Sequence, residues 1–95
     1  MAAPDTSAEG ELEIINRLGL HARAAARFVA VASAHEADIE VRLGANRANG
    51  KSIMGLMMLA AGKGSVLTVT ARGRDAEAAL QALTALLGER FGEAD

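Results

Sequence analysis

The sequence predicts an α+β fold in which a four-stranded antiparallel sheet carries three helices on one face. Segments that alternate apolar with polar residues, as strands do, are interspersed with alanine- and leucine-rich segments typical of helices. Their order is β-α-β-β-α-β-α, and a glycine turn joins the two middle strands as a hairpin. The chain has 95 residues, which is enough for one small domain.

The first predicted elements lead to a histidine. Glu11–Asn16 alternates apolar and charged side chains, which is typical of a half-buried strand. Arg17–Gly19 is predicted as a turn. Ala22 to about Ala34 is predicted as a helix because alanine has the highest helix propensity, with Phe28 and Ala32 on its buried side.

The middle of the chain predicts a hairpin followed by a short helix. Asp38–Leu43 alternates strictly and is predicted as a strand. Gly44–Asn46 forms the turn into a return strand at Arg47–Asn49. Ser52 is a suitable N-cap for an apolar helix over Ile53–Leu59.

The last two elements are a strand and a long helix. Ser65–Ala71 alternates in the manner of a strand. Asp75 is a candidate N-cap for a helix from Ala76 to about Phe91, although Gly88 can end that helix early. The buried stripe of this helix is predicted to contain Leu80, Leu83, Leu87 and Phe91, with Leu86 beside it.

The domain is predicted to span residues 9–92. Residues 1–8 are small and polar and are predicted to form a flexible tail, and residues 93–95 are predicted to be a frayed acidic end. The first residues lack the basic and apolar segments of a signal peptide, and no apolar run approaches the length of a membrane span. We therefore expect a cytoplasmic protein that does not insert into membranes.

Composition argues against several classes of function. The net charge of −2 supplies no basic face for nucleic acid, and two phenylalanines are the only aromatic residues on which bases could stack. Two histidines without cysteine or clustered carboxylates argue against a metal site. We therefore expect no nucleic-acid partner, no metal and no other cofactor.

The segment GLHARAAA, residues 19–26, carries the principal candidate site. It places His21 at or beside the first turn of a helix and Arg23 in the same turn. Free N–H groups and the helix dipole make a helix start an anion site, typically for phosphate. Neutral imidazole is a nucleophile, so we expect His21 to accept and release a phosphoryl group. A structural histidine in a turn and a solvated Arg23 are the alternatives.

A second segment, GKSIMGLMML, contains a helix start and an excess of apolar residues. Gly50-Lys51-Ser52 resembles the end of a P-loop, but Ala45 stands where that motif requires glycine, so nucleotide binding is not expected. The following residues are too apolar for a single buried stripe of a two-turn helix. Core filling accounts for some of them, and Ile53, Met54 and Met57 are predicted to form an exposed docking patch.

Two further basic residues lie on or beside the first predicted helix. Arg27 lies one helical turn after Arg23 and is a candidate contact for an acidic partner, although a solvated position is equally consistent. His35 lies near a helix end, where a cationic side chain suits the dipole, and is predicted to be structural.

Both segments and the element order resemble the HPr family, the histidine-containing phosphocarriers of the bacterial phosphoenolpyruvate-dependent phosphotransferase system. The resemblance covers about Glu11 to Phe91. It implies an open-faced β-sandwich and a phosphorylated intermediate rather than a turnover enzyme. It also implies that His21 receives the phosphoryl group on Nδ1 from Enzyme I and passes it to IIA-type acceptors, while Arg23 helps to hold the phosphate.

The same resemblance implies a regulatory role for Ser52, which stands where many members carry a serine that HPr kinase/phosphorylase phosphorylates from ATP. Ala24 departs from the family pattern, which usually has proline there, and a less rigid first turn could change the transfer rate. A transient carrier is expected to be a monomer.

Two alternative functions stay open at the level of sequence. The first is a regulatory module of the nitrogen-related branch, which binds partners according to its phosphorylation state and has no role in sugar transport. The second is a small α/β ligand-binding domain in which His21 is incidental.

Overall fold

The structure, a computed structural model, describes residues 6–95. Its elements are β1 (Ser7–Glu13), α1 (Ala22–Ser33), β2 (Asp38–Leu43), β3 (Asn46–Asn49), α2 (Ile53–Met58), β4 (Val66–Arg72), α3 (Ala76–Gly88) and a 3₁₀ turn (Arg90–Gly92). The predicted element order is confirmed. Every helix in this part of the chain is too short or too polar to cross a bilayer.

As predicted, the four strands form one antiparallel sheet, and their order in the sheet is β1-β4-β2-β3. β4 lies between β1 and β2, and its inward residues Leu67, Val69 and Ala71 are fully buried. The other face carries polar residues, although Thr70 is also buried there and donates a hydrogen bond of 2.8 Å to Glu9 Oε1. The three helices cover the apolar face and leave the polar face open.

The buried positions of helix α1 are mostly alanine. Ala24, Ala25 and Ala32 are buried together with Phe28, which with Phe91 is one of the two largest fully buried side chains among the described residues. On α3, Leu83 and Leu87 are buried as predicted. Leu80 is only partly buried, although it packs against the core.

The predicted first strand was misplaced along the chain. β1 runs from Ser7 to Glu13, not from Glu11 to Asn16, because seven consecutive residues pair with β4, from Ser7 opposite Arg72 to Glu13 opposite Val66. Ser7 and Ala8 therefore belong to the sheet rather than to the predicted tail of residues 1–8. Of the rest of that tail, residues 1–5 lie outside the described residues. Thr6 accepts a backbone hydrogen bond from Gly73.

The end of the chain also differs from the prediction. α3 ends at Gly88, and Arg90 and Phe91 adopt left-handed backbone conformations in the 3₁₀ turn. Phe91 is nonetheless buried in the core, so its burial fixes the turn and directs the last residues back across the domain. The prediction of a frayed end at residues 93–95 is wrong: Arg17 N donates to Asp95 O at 3.0 Å, and the Glu93 side chain is hydrogen-bonded.

Asp75 occupies the predicted N-cap position of α3 without making a capping hydrogen bond. Its carboxylate instead accepts the backbone N–H groups of Glu36 at 3.0 Å and Ala37 at 2.9 Å. Burial raises the pKa of the Asp75 carboxyl, but these hydrogen bonds lower it further, so the pKa lies below its ordinary value. Asp75 therefore joins the start of α3 to the connection between α1 and β2.

Candidate functional site

The candidate site is built on the N-terminus of α1. His21 is the N-cap residue, with extended backbone angles of −76° and −179°, and its side chain makes no capping hydrogen bond. The first bond of the helix joins Ala25 N to His21 O at 2.8 Å. The backbone N–H groups of the three residues between them therefore have no acceptor within the helix. The predicted placement of His21 and Arg23 in the first turn is confirmed.

A rigid turn holds His21 in this position. Gly19 has a φ of +72°, and a Cβ atom there would lie only 2.6 Å from Ala61 O. The next residue, Leu20, is buried and its N–H donates to the same Ala61 carbonyl at 2.9 Å. The turn is thus fixed against the segment after α2, and it delivers His21 to the start of α1.

The imidazole of His21 is held by a carboxylate from the opposite end of the chain. His21 Nε2 is hydrogen-bonded to Glu93 Oε2, and the Glu93 side chain is 14% exposed. The other carboxylate oxygen, Oε1, accepts a bond of 3.0 Å from Asn16 Nδ2. Asn16 is fully buried and also donates to Gly19 O at 2.8 Å. A continuous chain of hydrogen bonds therefore runs from Gly19 through Asn16 and Glu93 to His21.

Glu93 is ionised at neutral pH. Burial raises the pKa of its carboxyl, but hydrogen bonds from Asn16 and His21, together with the positive charge of Arg27, lower it below its ordinary value. An ionised carboxylate can only accept hydrogen bonds. The proton in the His21–Glu93 contact therefore belongs to His21 Nε2.

The arginines near the site have different surroundings. Arg23 is exposed, makes no ion pair or side-chain hydrogen bond with the described residues, and lines an open cleft with His21 and Glu93. Arg17 lines the same cleft and forms an exposed pair with Asp95 at 3.6 Å. Arg27 donates to the backbone carbonyl of Phe91. Arg23 is therefore the cation left free beside His21, whereas Arg27 supports the C-terminal turn, and its predicted docking role stays a prediction.

Helix α2 presents the second candidate region. Ser52 is its N-cap, as predicted, and the hydroxyl accepts the Gly55 N–H at 3.0 Å. Ile53, Met54 and Met57 are exposed as predicted. Met58 is not among the predicted patch residues, yet at 80% it is the most exposed large apolar side chain within residues 6–95. The exposure is confirmed, and the docking role of these side chains stays a prediction.

Sequence reasoning missed Asn16 and Glu93. Their contacts to the site join residues 77 and 72 positions apart, so no local pattern reveals them. Only Asn16 leaves a trace in the sequence: it is an amide that directly follows the apolar pair Ile14-Ile15, and a polar group buried there must find a hydrogen-bond partner.

The remaining histidine has a structural contact. His35 Nδ1 lies 2.9 Å from Val31 O at the end of α1, and Lys51 Nζ donates to the His35 carbonyl. Within residues 6–95, no three acidic or histidine side chains are grouped as a metal site would require.

Fold and site together define a class of protein: a small open-faced sandwich that presents an imidazole, a helix N-terminus and a free arginine at its surface. This is the class of the histidine-containing phosphocarriers. The family model described as the phosphorylation site of the phosphotransferase system HPr component matches residues 8–89. The chain therefore belongs to the HPr family, whose members are phosphocarriers of the phosphotransferase system and not enzymes.

Curated relatives and solved structures agree with this assignment. The chain is 50% identical over 84 residues to phosphocarrier protein HPr of Neisseria meningitidis, which covers 88% of this chain and 94% of the relative. It is 43% identical over 89 residues to phosphocarrier protein NPr of Shewanella violacea, covering 94% and 98%. A crystal structure of HPr from Thermoanaerobacter tengcongensis matches with a TM-score of 0.89 and 43% identity, covering 93% and 99%.

Proposed function

We propose that this protein accepts a phosphoryl group on Nδ1 of His21 from Enzyme I and passes it to IIA-type acceptor proteins in the cytoplasm. The observation that carries the proposal is the state of the two ring nitrogens. Nε2 is bound to Glu93, whereas Nδ1 has no hydrogen-bond partner among the described residues. Nδ1 is therefore the nitrogen with a free lone pair.

The surroundings of His21 suit a phosphoryl group. The helix dipole of α1 stabilises a nearby anion by about 0.3–1 kcal/mol, rising to about 2 kcal/mol where the site is partly buried. The unpaired guanidinium of Arg23 can add charge-assisted hydrogen bonds to the phosphate oxygens. These contributions are moderate, so the site can hold the group and still release it to an acceptor.

Ala24, where the family usually has proline, is fully buried in the first turn of α1, and the helix forms without the proline. Unlike proline, Ala24 retains a backbone N–H at this helix start. The presence of alanine instead of proline at position 24 therefore affects the rate of phosphoryl transfer and not which ring nitrogen of His21 accepts the group.

The test is phosphorylation by phosphoenolpyruvate, Mg²⁺ and Enzyme I, followed by intact mass measurement. We expect one acid-labile phosphoryl group on the wild type and on His35→Ala, and none on His21→Ala. Arg23→Ala should slow the transfer by about 10- to 100-fold, because a hydrogen bond to a charged group contributes about 1.5–3 kcal/mol. An unmodified wild type, or a modified His21→Ala, would contradict the proposal.

Ser52 is a second, regulatory site in this proposal, as a substrate of HPr kinase/phosphorylase. Its hydroxyl caps α2 directly beside the exposed Ile53 and Met54, so a phosphate there would place negative charge next to the predicted docking patch. An acidic partner that docks on this patch would then be repelled.

Ser52→Asp and Ser52→Asn separate this charge effect from capping, because both residues are good N-caps and only aspartate is charged. Two like charges 4 Å apart in water repel by about 1 kcal/mol, which corresponds to about a fivefold slower transfer from Enzyme I. We expect this slowing in Ser52→Asp alone, and we expect it to weaken at high salt. Equal rates for the two variants would contradict regulation by charge, and ATP-dependent modification surviving in Ser52→Asn would contradict the site.

The branch of the phosphotransferase system is a separate question. Relatives named HPr and NPr both match over most of the chain, so the sugar branch and the nitrogen-related branch are both compatible with this proposal. Family membership favours either branch over the small ligand-binding domain.

A further inference from the structure

We propose that Glu93 is a positioning residue that holds the proton of His21 on Nε2 and thereby makes Nδ1 the nucleophile. The inference rests on the proposed function, because it concerns the same phosphoryl transfer. It assigns a role to a side chain that contacts His21 from 72 positions away and that the sequence does not single out.

The orientation of this contact is forced by its partners. Asn16 Nδ2 lies 2.8 Å from the carbonyl of Gly19, which can only accept, so this nitrogen is the amide donor. The same nitrogen donates to Glu93 Oε1 and leaves Glu93 Oε2 facing the imidazole. Because the Glu93 carboxylate is ionised, its Oε2 can only accept, so Nε2 must carry the hydrogen.

The segment that carries Glu93 is anchored on both sides. Before it, Phe91 is buried in the core and its carbonyl accepts a hydrogen bond from Arg27. After it, the carbonyl of Asp95 accepts the backbone N–H of Arg17 at 3.0 Å. The carboxylate is therefore held against His21 by the fold and not by a loose chain end.

The contact also stabilises the phosphorylated ring. During transfer, a bond forms between His21 Nδ1 and phosphorus, and the bond between phosphorus and the donor atom breaks with its electron pair left on the donor. The proton stays on Nε2, so the ring of His21 becomes positively charged. Glu93 faces that N–H group with a negative charge, as the carboxylate of a serine-protease triad faces its imidazolium.

Two substitutions distinguish a positioning role of Glu93 from a packing role. For a packing residue, Glu93→Ala would slow transfer more than Glu93→Gln, whereas the positioning role predicts the reverse. In Glu93→Gln, Asn16 still donates, so the new amide must turn its oxygen towards Asn16 and its NH₂ group towards His21. Nε2 then has to accept, and the proton moves to Nδ1, which removes the nucleophile. In Glu93→Ala the ring is free, and Nδ1 keeps its lone pair for much of the time. The more conservative change is therefore expected to be the more harmful.

The measurement is ¹⁵N NMR of the histidine ring in the neutral state, together with the rate of phosphorylation by Enzyme I. We expect the Nε2–H form in the wild type and the Nδ1–H form in Glu93→Gln. The analogous carboxylate-to-amide change in serine proteases costs about 10⁴ in rate. We expect at least about a 100-fold loss in Glu93→Gln. In Glu93→Ala, where the negative charge facing the N–H group is lost but Nδ1 can still react, we expect a smaller loss of about tenfold. Glu77→Gln, an exposed change of the same type, should leave both readouts unchanged.

The outcomes separate this inference from the proposed function. A wild-type tautomer in Glu93→Gln would overturn the positioning role, and so would an inverted tautomer combined with a wild-type rate. In either case phosphorylation of the wild-type protein would leave the proposed function intact. If Glu93→Gln does not fold, a Nδ1–H form in the wild type or an undiminished rate in Glu93→Ala would still contradict the inference.

Discussion

Gly19→Ala is expected to destabilise the protein by about 2–5 kcal/mol and to slow phosphorylation of His21. A left-handed backbone costs a residue with a Cβ atom about 1–2 kcal/mol, and Gly19 has a φ of +72°. The added carbon would also lie 2.6 Å from Ala61 O and 2.9 Å from Gly62 Cα, and such overpacking adds about 1–3 kcal/mol. Backbone atoms cannot rotate away, so the turn that precedes His21 has to move.

Two other glycines separate these contributions. Gly44 has a φ of +60° with no heavy atom within 4 Å of an added Cβ, so Gly44→Ala should cost only about 1–2 kcal/mol. Gly62 has neither a positive φ nor a close neighbour, and Gly62→Ala should change stability by less than about 1 kcal/mol. Chemical denaturation of the three variants checks the ranking. If Gly19→Ala and Gly44→Ala lower the free energy of unfolding equally, the close approach of residue 19 to Ala61 and Gly62 does not contribute to stability.

Phe28→Ala is expected to lower the free energy of unfolding by about 3–5 kcal/mol, which is the usual cost of removing a buried phenylalanine. Phe28 is fully buried on α1, and its ring lies 3.2 Å from the position of a Cβ on Gly50, the residue directly after β3. It therefore joins the helix that carries His21 to the hairpin. Domains of this size are typically stable by about 5–15 kcal/mol, so the loss is a large part of the total.

Leu18→Ala is the matched control for Phe28→Ala, because Leu18 is also a large apolar residue but is 57% exposed. It should change stability by no more than about 0.5 kcal/mol. Phe28→Leu fills most of the space and should lose less than Phe28→Ala. Urea denaturation of all three variants measures the difference, and a loss below about 1 kcal/mol in Phe28→Ala would mean that the core closes around the missing ring.

Several element boundaries were predicted closely because their determinants are local. Asp38–Leu43 alternates strictly, and the structure gives β2 the same bounds. Ser52 was identified as an N-cap from residue type and position, and its hydroxyl makes the capping bond. β1 was misplaced because pairing with β4 sets its register, and a strand's own sequence does not contain its partner.

Residue types and local patterns are enough to predict the fold class, the place of His21 at a helix start, Arg23 beside it and the N-cap at Ser52. These features depend on propensity, periodicity and capping, which act over a few neighbouring residues. The return of the C-terminal residues to the site and the contact of Glu93 with His21 Nε2 are visible only in the folded domain. That arrangement depends on the burial of Phe91 and on Asn16, whose contacts join the two ends of the chain. Such contacts are set by packing of the whole domain, and no local pattern specifies them.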